Sequence, residues 1–292
     1  MIFERLKDRV PIDLGWSGDK KYRATDIDGT PYLLRITEGE KAKKRREMFA
    51  QHVRIAALGI PMCLPVECGE CEDGFYAIYT WIDGVDAEKH IPSLSADEQY
   101  SYGVRAGEIL AKIHTPDAPE GTPPWSERYG KKIERKIEMY RDCPLRYEDD
   151  GELFRMIDGG RALIEDRPNR YQHGDYHIGN MMVSDGELTV IDFDRSDVGD
   201  PWEEFNRIVW CVAVSEEFAS GMVDGYFGGR VPLDFWRLLS LYVAVNTLSS
   251  LPWAIPFGDG EIEIMRKQAK DFLGWYEGGA YPVPRWYKGE RK

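Results

Sequence analysis

Residues 173–194 read HGDYHIGNMMVSDGELTVIDFD, and this stretch indicates the fold of the whole chain. A short apolar strand at 181–183 is followed by an Asp-Gly turn and a return strand at 188–191, which is the pattern of a β-hairpin. Because a hairpin brings its two ends together, we expect Asn180 before the first strand and Asp192 after the second to lie side by side.

The polar residues of this stretch have the chemistry of phosphoryl transfer. Asp175, five residues before Asn180, is the candidate base that accepts the proton of an attacking hydroxyl. Asn180 and Asp192 are the candidate ligands of Mg²⁺, which prefers hard oxygen atoms. Asp194 is a candidate for a supporting contact, and His173 is interpreted as a structural residue of the loop.

The combined motif resembles the aminoglycoside phosphotransferase family. It consists of His-Gly-Asp-Tyr-His-Ile-Gly-Asn at 173–180, then Ile-Asp-Phe at 191–193 and Gly-Asp-Pro at 199–201, and it has the base-to-asparagine spacing of eukaryotic-like kinases. The resemblance implies an α+β, two-lobed protein-kinase-like fold with a small antiparallel-sheet N-lobe and a large, mainly helical C-lobe. It places a nucleotide-binding lobe at residues 1–81 and a catalytic and substrate-binding helical lobe at residues 82–292.

Local patterns fit this division of the chain. Asp-Gly at 28–29 predicts a hairpin turn, and Ser95 with Glu98 forms a capping box at the start of a helix. The strands predicted before residue 82 include 32–36 and 75–81, with a helix at 41–58 between them. The helices predicted after residue 82 include 131–141, 203–214, 231–250 and 261–276.

The resemblance also implies where a nucleotide binds. Ser17, in the Gly-Trp-Ser-Gly stretch at 15–18, is a candidate donor to the phosphates together with the backbone N–H groups of its loop. The backbone of the connector near residues 79–82, with Thr80 and Ile82, is expected to bind the base. Recognition of the base by backbone atoms leaves no side-chain signature, so the sequence does not distinguish ATP from GTP as the phosphate donor.

The phosphate-binding cation departs from the pattern of the family. Arg35 occupies the position of the family's lysine, and it keeps the charge but is planar and bulkier. Its partner by resemblance is Glu47 in the following helix, and Glu40 is the less favoured alternative.

Composition limits the classes of partner. The chain has 292 residues, of which 42% are hydrophobic and 12% aromatic, as in globular proteins with a sizeable core. The net charge of −13 argues against nucleic acid as a partner and weakly favours a cationic substrate. The basic run at 41–46 is interpreted as a solvated helix face.

Neither a membrane span nor a cysteine-based site is predicted. The N-terminus lacks a long apolar region, and residues 238–258 are uncharged but contain Asn246, Pro252 and Pro256, so they predict a buried helix and a broken loop. The five cysteines include a Cys-x-x-Cys pair at 68–71, which is interpreted as part of a hairpin because no second pair completes a zinc site. We expect a cytoplasmic protein.

Three functional interpretations follow from these patterns. The first is an ATP- or GTP-dependent, Mg²⁺-requiring phosphotransferase acting on a hydroxyl of a small molecule, either an aminoglycoside or related antibiotic, or a metabolite such as choline, homoserine or a sugar. The second is a non-catalytic pseudokinase scaffold, which Arg35 motivates and the intact Asp175, Asn180 and Asp192 oppose. The third, a protein acceptor, ranks below these because the Gly-Asp-Pro at 199–201 leaves little room for a peptide-docking loop.

Overall fold

The computed structural model describes residues 1–13, 19–276 and 282–289. The chain forms two compact units. Unit 1 comprises Met1–His90 and Gly179–Ser196, and unit 2 comprises Ile91–Ile178 and Asp197–Lys292. The chain therefore leaves unit 1 after His90, returns to it for the hairpin segment and leaves it again. The domain boundary predicted between residues 81 and 82 stays a prediction.

The described residues contain the following elements. The strands are β1 (Leu6–Pro11), β2 (Lys20–Asp26), β3 (Pro31–Thr37), β4 (Pro65–Cys71), β5 (Gly74–Thr80), β6 (Val85–Asp86), β7 (Arg170–Gln172), β8 (Met181–Ser184), β9 (Glu187–Val190) and β10 (Asp197–Gly199). The helices are α1 (Ile2–Arg5), α2 (Lys41–Ala56), α3 (Ala87–His90), α4 (Ala96–Ile113), α5 (Trp125–Asp142), α6 (Asp150–Gly160), α7 (Ile208–Val214), α8 (Glu216–Phe227), α9 (Leu233–Ala254) and α10 (Asp259–Gly274).

Unit 1 is built on an antiparallel sheet with the strand order β1-β2-β3-β5-β4. Its strands alternate between two buried faces, because successive side chains of a strand point to opposite sides. Leu34 and Ile36 pack with Ile78 on one face, whereas Ala77 and its neighbours pack with Phe49 of α2 on the other. Arg35 alternates with Leu34 and Ile36 and pairs with Ala77 in the register, so it lies on the face that α2 covers.

The turns of unit 1 follow their sequence signals. The Asp26 carboxylate accepts the N–H groups of Asp28 and Thr30, each at 2.9 Å, and Gly29 has φ +85°, which confirms the hairpin between β2 and β3. The Cys-x-x-Cys pair lies at the end of β4 in the β4–β5 hairpin, as predicted. Its cysteines are free.

Unit 2 is mainly helical, and α4 packs closely on α8. A Cβ built on Gly107 would lie 2.1 Å from the Met222 carbonyl oxygen, and one built on Gly225 would lie 2.1 Å from that of Val104. Only glycine allows two helix backbones to approach this far. The Ser95 capping box at the start of α4 is confirmed.

Other helices differ from the sequence prediction in their extent. α5 begins six residues before the predicted start at residue 131, since Trp125 and Tyr129 belong to its buried face. Residues 203–214 form a 3-10 turn, Glu203–Arg207, before α7. The helix predicted at 231–250 extends to Ala254 and contains Pro252, and α6 and α8 had no prediction of their own.

α9 explains the uncharged stretch near the C-terminus. Among the described residues, Leu233–Phe257 is the one segment long and apolar enough to cross a membrane by length and composition. Most of its side chains are buried inside the structure, including Leu239, Tyr242 and Leu248. Such burial is typical of a core helix, as the sequence predicted.

Candidate active site

The hairpin in unit 1 holds the two candidate metal ligands at its open end. Met181 pairs with Val190 in the antiparallel register, and the Ile191 N–H donates to the Asn180 carbonyl at 2.9 Å. The turn at the other end has Asp185 at φ +50° and Gly186 at φ +77°, as a tight two-residue hairpin requires. Asn180 and Asp192 therefore flank the hydrogen-bonded end of the hairpin, the first just before β8 and the second shortly after β9.

Asp192 has an unusual backbone and an open carboxylate. Its φ of +63° and ψ of +58° lie in the left-handed region, where Asp is tolerated better than most residues with a side chain. The residue is exposed. Among the described residues, no hydrogen-bond donor or cation contacts its carboxylate at hydrogen-bond or ion-pair distance.

A buried ion cluster lies on the α2 face of the sheet in unit 1. Arg35 donates to Asp19 Oδ2 from Nη2 at 2.7 Å and from Nε at 3.1 Å, and to Asp194 Oδ1 from Nη1 at 3.1 Å. Arg45 of α2 donates to Asp194 Oδ1 at 2.7 Å and also contacts Asp19. Thr37 Oγ1 donates to Asp19 Oδ1 at 2.8 Å. Two arginines and two aspartates thus neutralise one another with little access to water.

Charges inside this cluster shift the acidity of its members. Burial raises the pKa of Asp194, but the guanidinium groups of Arg35 and Arg45 outweigh it and hold the pKa well below its usual range. Nearby, His52 is buried with its Nδ1 2.9 Å from the Tyr79 hydroxyl. Burial lowers the pKa of His52 to about 4, so this imidazole is neutral near pH 7.

Lys21 adds a further cation beside Arg35. The two residues are cross-strand partners of β2 and β3, and such partners have adjacent side chains on one face. Burial, followed by the charge of Arg35, lowers the pKa of Lys21, while Asp192, Asp194 and Asp19 oppose this effect. The Lys21 side chain is therefore close enough to Asp192 and Asp194, which follow the hairpin, for their negative charges to act on it.

The other residues predicted to contact the nucleotide are Ser17, Thr80 and Ile82. Ser17 lies outside the described residues. The Thr80 N–H donates to the Leu64 carbonyl at 2.9 Å, so this N–H is occupied. Ile82 follows the end of β5 in a segment without regular structure, and among the described residues nothing bonds to its N–H.

In unit 2, Asp175 lies in a loop between β7 and residue 178. Arg207 Nε lies 3.0 Å from Asp175 Oδ1, and His177 Nε2 lies 3.9 Å from the same oxygen. The Asp175 side chain is 18% exposed, so it keeps access to solvent. The His177 ring in turn packs near Trp210, with the ring centroids 6.1 Å apart.

A single 3-10 turn supports this loop. The buried carboxylate of Glu204 accepts the Gly174 N–H at 2.9 Å, and Arg207 on the same turn pairs with Asp175. Burial raises the pKa of Glu204, but His114, His173 and the Gly174 N–H outweigh it, so the pKa lies below its ordinary value. The Glu203–Arg207 turn therefore fixes both the backbone and the carboxylate of the loop.

Asp200, the central residue of the Gly-Asp-Pro motif, anchors the chain beyond β10. Its fully buried carboxylate accepts two hydrogen bonds from Arg167, both at 2.8 Å, and one from the Tyr242 hydroxyl at 2.5 Å. The Trp202 N–H donates to it at 3.1 Å. These contacts are structural and stay within unit 2.

A sequence profile of the APH phosphotransferase enzyme family matches residues 8–236, which is more than half of the chain. This protein belongs to the APH phosphotransferase family. Among curated proteins, no relative matches the chain.

Solved structures with the same fold cover nearly all of this APH-family chain. A thermostable mutant of aminoglycoside phosphotransferase APH(4)-Ia, in a ternary complex with ADP and hygromycin B, is 19% identical over 95% of this chain and 96% of its own, with a TM-score of 0.66. The GDP complex of a mutant of aminoglycoside 2'-phosphotransferase-IIIa is 15% identical over 92% and 93%, with a TM-score of 0.68. A choline/ethanolamine kinase family protein from Mesorhizobium loti is 17% identical over 91% and 88%, with a TM-score of 0.64. The predicted α+β, protein-kinase-like fold is confirmed.

The ion pair of this APH-family member differs from the one expected by resemblance. Arg35 does not pair with Glu47 here, since Glu47 is exposed on α2 and the carboxylates on Arg35 are Asp19 and Asp194. The helix phase explains the error, because Arg45, Met48, Phe49, His52 and Ile55 form the buried face of α2 and residue 47 points away from it. The prediction that the whole basic run at 41–46 is solvated is wrong at Arg45, which is buried.

Four residues near the candidate site were missed as site residues. They are Asp19, Lys21, Arg45 and Arg207. Lys21 carries a detectable signal, because the register of a β2–β3 hairpin around the Asp-Gly turn at 28–29 places it opposite Arg35. The other three meet their partners only through the tertiary fold.

Proposed function

We propose that this protein transfers the γ-phosphate of ATP or GTP to a hydroxyl of a small molecule in the cytoplasm. The observation that carries the proposal is the hairpin that holds Asn180 and Asp192 at one end, directly after a loop whose Asp175 is fixed by Arg207. Membership of the APH family supports the reaction class. Nucleotides in the similar structures, ADP in one and GDP in another, support the donor.

Asp175 is proposed as the base. Its carboxylate accepts the proton of the acceptor hydroxyl as the oxygen attacks phosphorus, and the nucleoside diphosphate leaves with the electrons of the broken P–O bond. The Arg207 contact fixes the direction of this carboxylate, while its partial exposure leaves it accessible to a substrate. The role needs a positioned and accessible carboxylate, and these two features support the proposal.

Asn180 and Asp192 are proposed to hold Mg²⁺. The open carboxylate of Asp192 and the amide oxygen of Asn180 belong to residues at the same end of the hairpin and offer two hard oxygen ligands. Mg²⁺ typically takes few protein ligands and completes its shell with water and phosphate oxygens. When bound, the metal neutralises charge on the phosphates. The donor set therefore fits the ion.

Arg35 and Lys21 are proposed to bind the phosphates, with the loop of Ser17 and the backbone near Thr80 and Ile82 completing the nucleotide site. Arg35 is engaged by two aspartates, so its role combines phosphate binding with support of the segment after the hairpin. Glu47 has no place in this arrangement. Lys21 is the cation that lies across the strand from Arg35, which makes it the second candidate for a phosphate.

The acceptor classes are those of the similar proteins and of the sequence-based expectation: aminoglycosides, choline-like amines, and amino acid or sugar alcohols. An antibiotic acceptor would make the protein a resistance enzyme. The test is release of ADP from ATP, or of GDP from GTP, with and without Mg²⁺, across this panel. Metal-dependent release that one acceptor stimulates supports the proposal.

The pseudokinase alternative predicts a different outcome in the same experiment. A scaffold protein would release no ADP or GDP with any acceptor, whether or not it binds nucleotide. Mass spectrometry of the stimulated reaction separates true transfer from hydrolysis, since transfer adds a phosphoryl group to the acceptor. Metal-independent release, or release without a phosphorylated product, would contradict the proposed function.

A further inference from the structure

The surroundings of Asp175 in unit 2 are rich in cations, although the chain as a whole has a net charge of −13. Arg207 contacts Asp175, and Lys132 of α5 contacts Glu203, with Lys132 Nζ 2.7 Å from Glu203 Oε1. Glu203 and Arg207 belong to one 3-10 turn. The turn that supports the catalytic loop thus also faces the basic side of α5.

Lys136 of α5 is a partly buried cation without a counter-ion among the described residues. It lies four residues after Lys132, so the two side chains share one face of α5. Its Nζ donates to the Asn246 amide oxygen of α9 at 3.3 Å, and among the described residues no carboxylate lies within ion-pair distance of it. The side chain is half-buried. A half-buried ammonium group with only an amide partner is short of negative charge.

The groups that face Lys136 explain its electrostatic state. Burial and the positive charges of Lys132, Arg207 and Arg135 together lower the pKa of Lys136 to about 7, while Glu203 opposes them. Asn246, which faces it from α9, carries no charge. Four cations, Lys132, Arg135, Lys136 and Arg207, thus stand against three carboxylates, Asp175, Glu203 and Glu204. The surplus is positive at the end of unit 2 that contains the candidate base.

The same helix extends this positive surface. A cleft of about 310 Å³ on α5 is lined by four cations, with aromatic side chains and one carboxylate among the other lining residues. The four cations are Arg128, Lys131, Lys132 and Arg135. Arg128 pairs with Asp197, Lys131 with Glu127 and Lys132 with Glu203, so the four cations exceed these three carboxylates by one charge. A positive surplus attracts anions toward a site.

We propose that the acceptor is an anionic alcohol, a hydroxyl compound with a carboxylate or phosphate group that Lys136 and Arg207 bind while its hydroxyl meets Asp175. This inference rests on the proposed function. Arg207 contacts the base, and Lys136 lies close enough to Arg207 for their charges to interact. This pair of cations favours an anionic substituent and opposes the several ammonium groups of an aminoglycoside, since like charges repel at short range. The net charge of the chain, which favours a cationic substrate, is outweighed by the local charge.

The first test measures anion binding without any turnover. The full chain is labelled with ¹³C-dimethyl groups on its lysines, and the Lys136 resonance is identified by its loss in Lys136→Gln. We expect its pKa, about 7 in the free protein, to rise by at least one unit on saturation with malonate as the carboxylate probe or inorganic phosphate as the phosphate probe. The larger rise identifies the favoured anion.

Controls make this test specific. Arg207→Met should weaken the binding of malonate or phosphate. Lys112→Met, at an exposed position of α4, should leave this binding unchanged. A pKa of Lys136 that neither probe moves would overturn the inference. So would a rise that Arg207→Met leaves unchanged, because the anion would then be held elsewhere.

The second test uses acceptors with one carbon skeleton, D-gluconate, D-glucose and D-glucosamine, in the ADP and GDP release assay. The inference predicts that kcat/KM is highest for D-gluconate, lower for D-glucose and lowest for D-glucosamine. Lys136→Met should raise the KM of anionic acceptors at least tenfold with little change in kcat. The KM should also rise with pH above about 7, as Lys136 loses its proton.

The two tests separate the inference from the function it rests on. Anion binding at Lys136 without turnover of any acceptor would keep the anion site and overturn the phosphotransferase. Turnover that prefers D-glucosamine, with a KM that Lys136→Met leaves unchanged, would keep the phosphotransferase and overturn the anionic acceptor.

Discussion

Arg207 Nε lies 3.0 Å from Asp175 Oδ1. The same 3-10 turn places the Glu204 carboxylate on the Gly174 N–H at 2.9 Å. One turn therefore controls both where the Asp175 backbone runs and where its carboxylate points. Positioning of this kind matters for a base, because misplacement of about 1 Å from the productive geometry can lower a rate by roughly 100-fold.

Asp192→Asn should remove Mg²⁺-dependent nucleotide binding with little effect on stability. The carboxylate is open and contacts no cation among the described residues, and Asn tolerates the left-handed backbone at φ +63°. The free energy of unfolding should change by less than about 0.5 kcal/mol. Calorimetric titration of ADP with and without Mg²⁺, beside urea unfolding, measures both. Tight metal-dependent binding by this variant would exclude Asp192 as a ligand.

Arg35→Met should destabilise the fold by about 3 to 5 kcal/mol, because it leaves the carboxylates of Asp19 and Asp194 with Arg45 as their one remaining arginine. Arg46→Met is the matched control on α2, since Arg46 pairs with Glu70 at the surface and such pairs contribute about 1 kcal/mol or less. Urea unfolding of the two variants decides the comparison. Equal losses in both would show that the buried cluster is not a stabilising feature.

Gly107→Ala should destabilise unit 2 strongly. The added methyl group would lie 2.1 Å from the Met222 carbonyl oxygen, so α4 and α8 must separate, at a cost of about 3 kcal/mol or more. Gly159→Ala, on the exposed side of α6 where a Cβ meets no atom within 4 Å, should stabilise by up to about 1 kcal/mol through helix propensity. Thermal unfolding is the measurement, and a Gly107→Ala variant as stable as the wild type would refute the backbone-to-backbone packing.

Acid should destabilise the protein first through His52. Its folded pKa of about 4 lies below the usual value, so the unfolded chain takes up the proton first and stability falls as pH drops from about 6.5 to 4. His52→Gln should reduce the loss between pH 7 and 4.5 by about 2 to 3 kcal/mol, since about two pKa units are involved. Asp194 adds a later loss, below its usual pKa, because its folded pKa is depressed.

Urea unfolding at the two pH values gives this difference directly. A glutamine side chain at this position can still form a hydrogen bond with the Tyr79 hydroxyl, so the His52→Gln variant should fold at pH 7. If the wild type and His52→Gln lose the same stability between pH 7 and 4.5, the imidazole is not held neutral by burial.

The parts of this structure that the sequence predicted are those built from local rules. The Asp-Gly turns, the period-two strand around Arg35 and the Ser95 capping box each depend on a few neighbouring residues, and all three are confirmed. The hairpin brings the chain at Asn180 beside Ile191 for the same reason. Local chemistry was therefore sufficient to propose a phosphotransferase.

The parts that the sequence did not predict depend on contacts between distant residues. Arg45 and Asp194 are separated by 149 positions, and Arg207 and Asp175 come together only because the 3-10 turn packs on the loop. The predicted ion pair between Arg35 and Glu47 is wrong because a resemblance indicates the type of ion pair but not which residues of this helix face the sheet. The positive charge proposed to bind the acceptor likewise depends on Lys136. In the sequence, Lys136 is only one lysine among several on α5.

The most direct measurement of the central claim compares Asp175→Asn with Asp185→Asn, both as single-turnover transfer of ³²P from ATP or GTP to the acceptor that stimulates the wild type. Asp185 carries the same charge change in the hairpin turn, where Asn is tolerated at φ +50°. We expect Asp175→Asn to bind nucleotide normally and to transfer phosphate at least about 100-fold more slowly, and Asp185→Asn to resemble the wild type. Equal rates in Asp175→Asn and the wild type would contradict the assignment of the base.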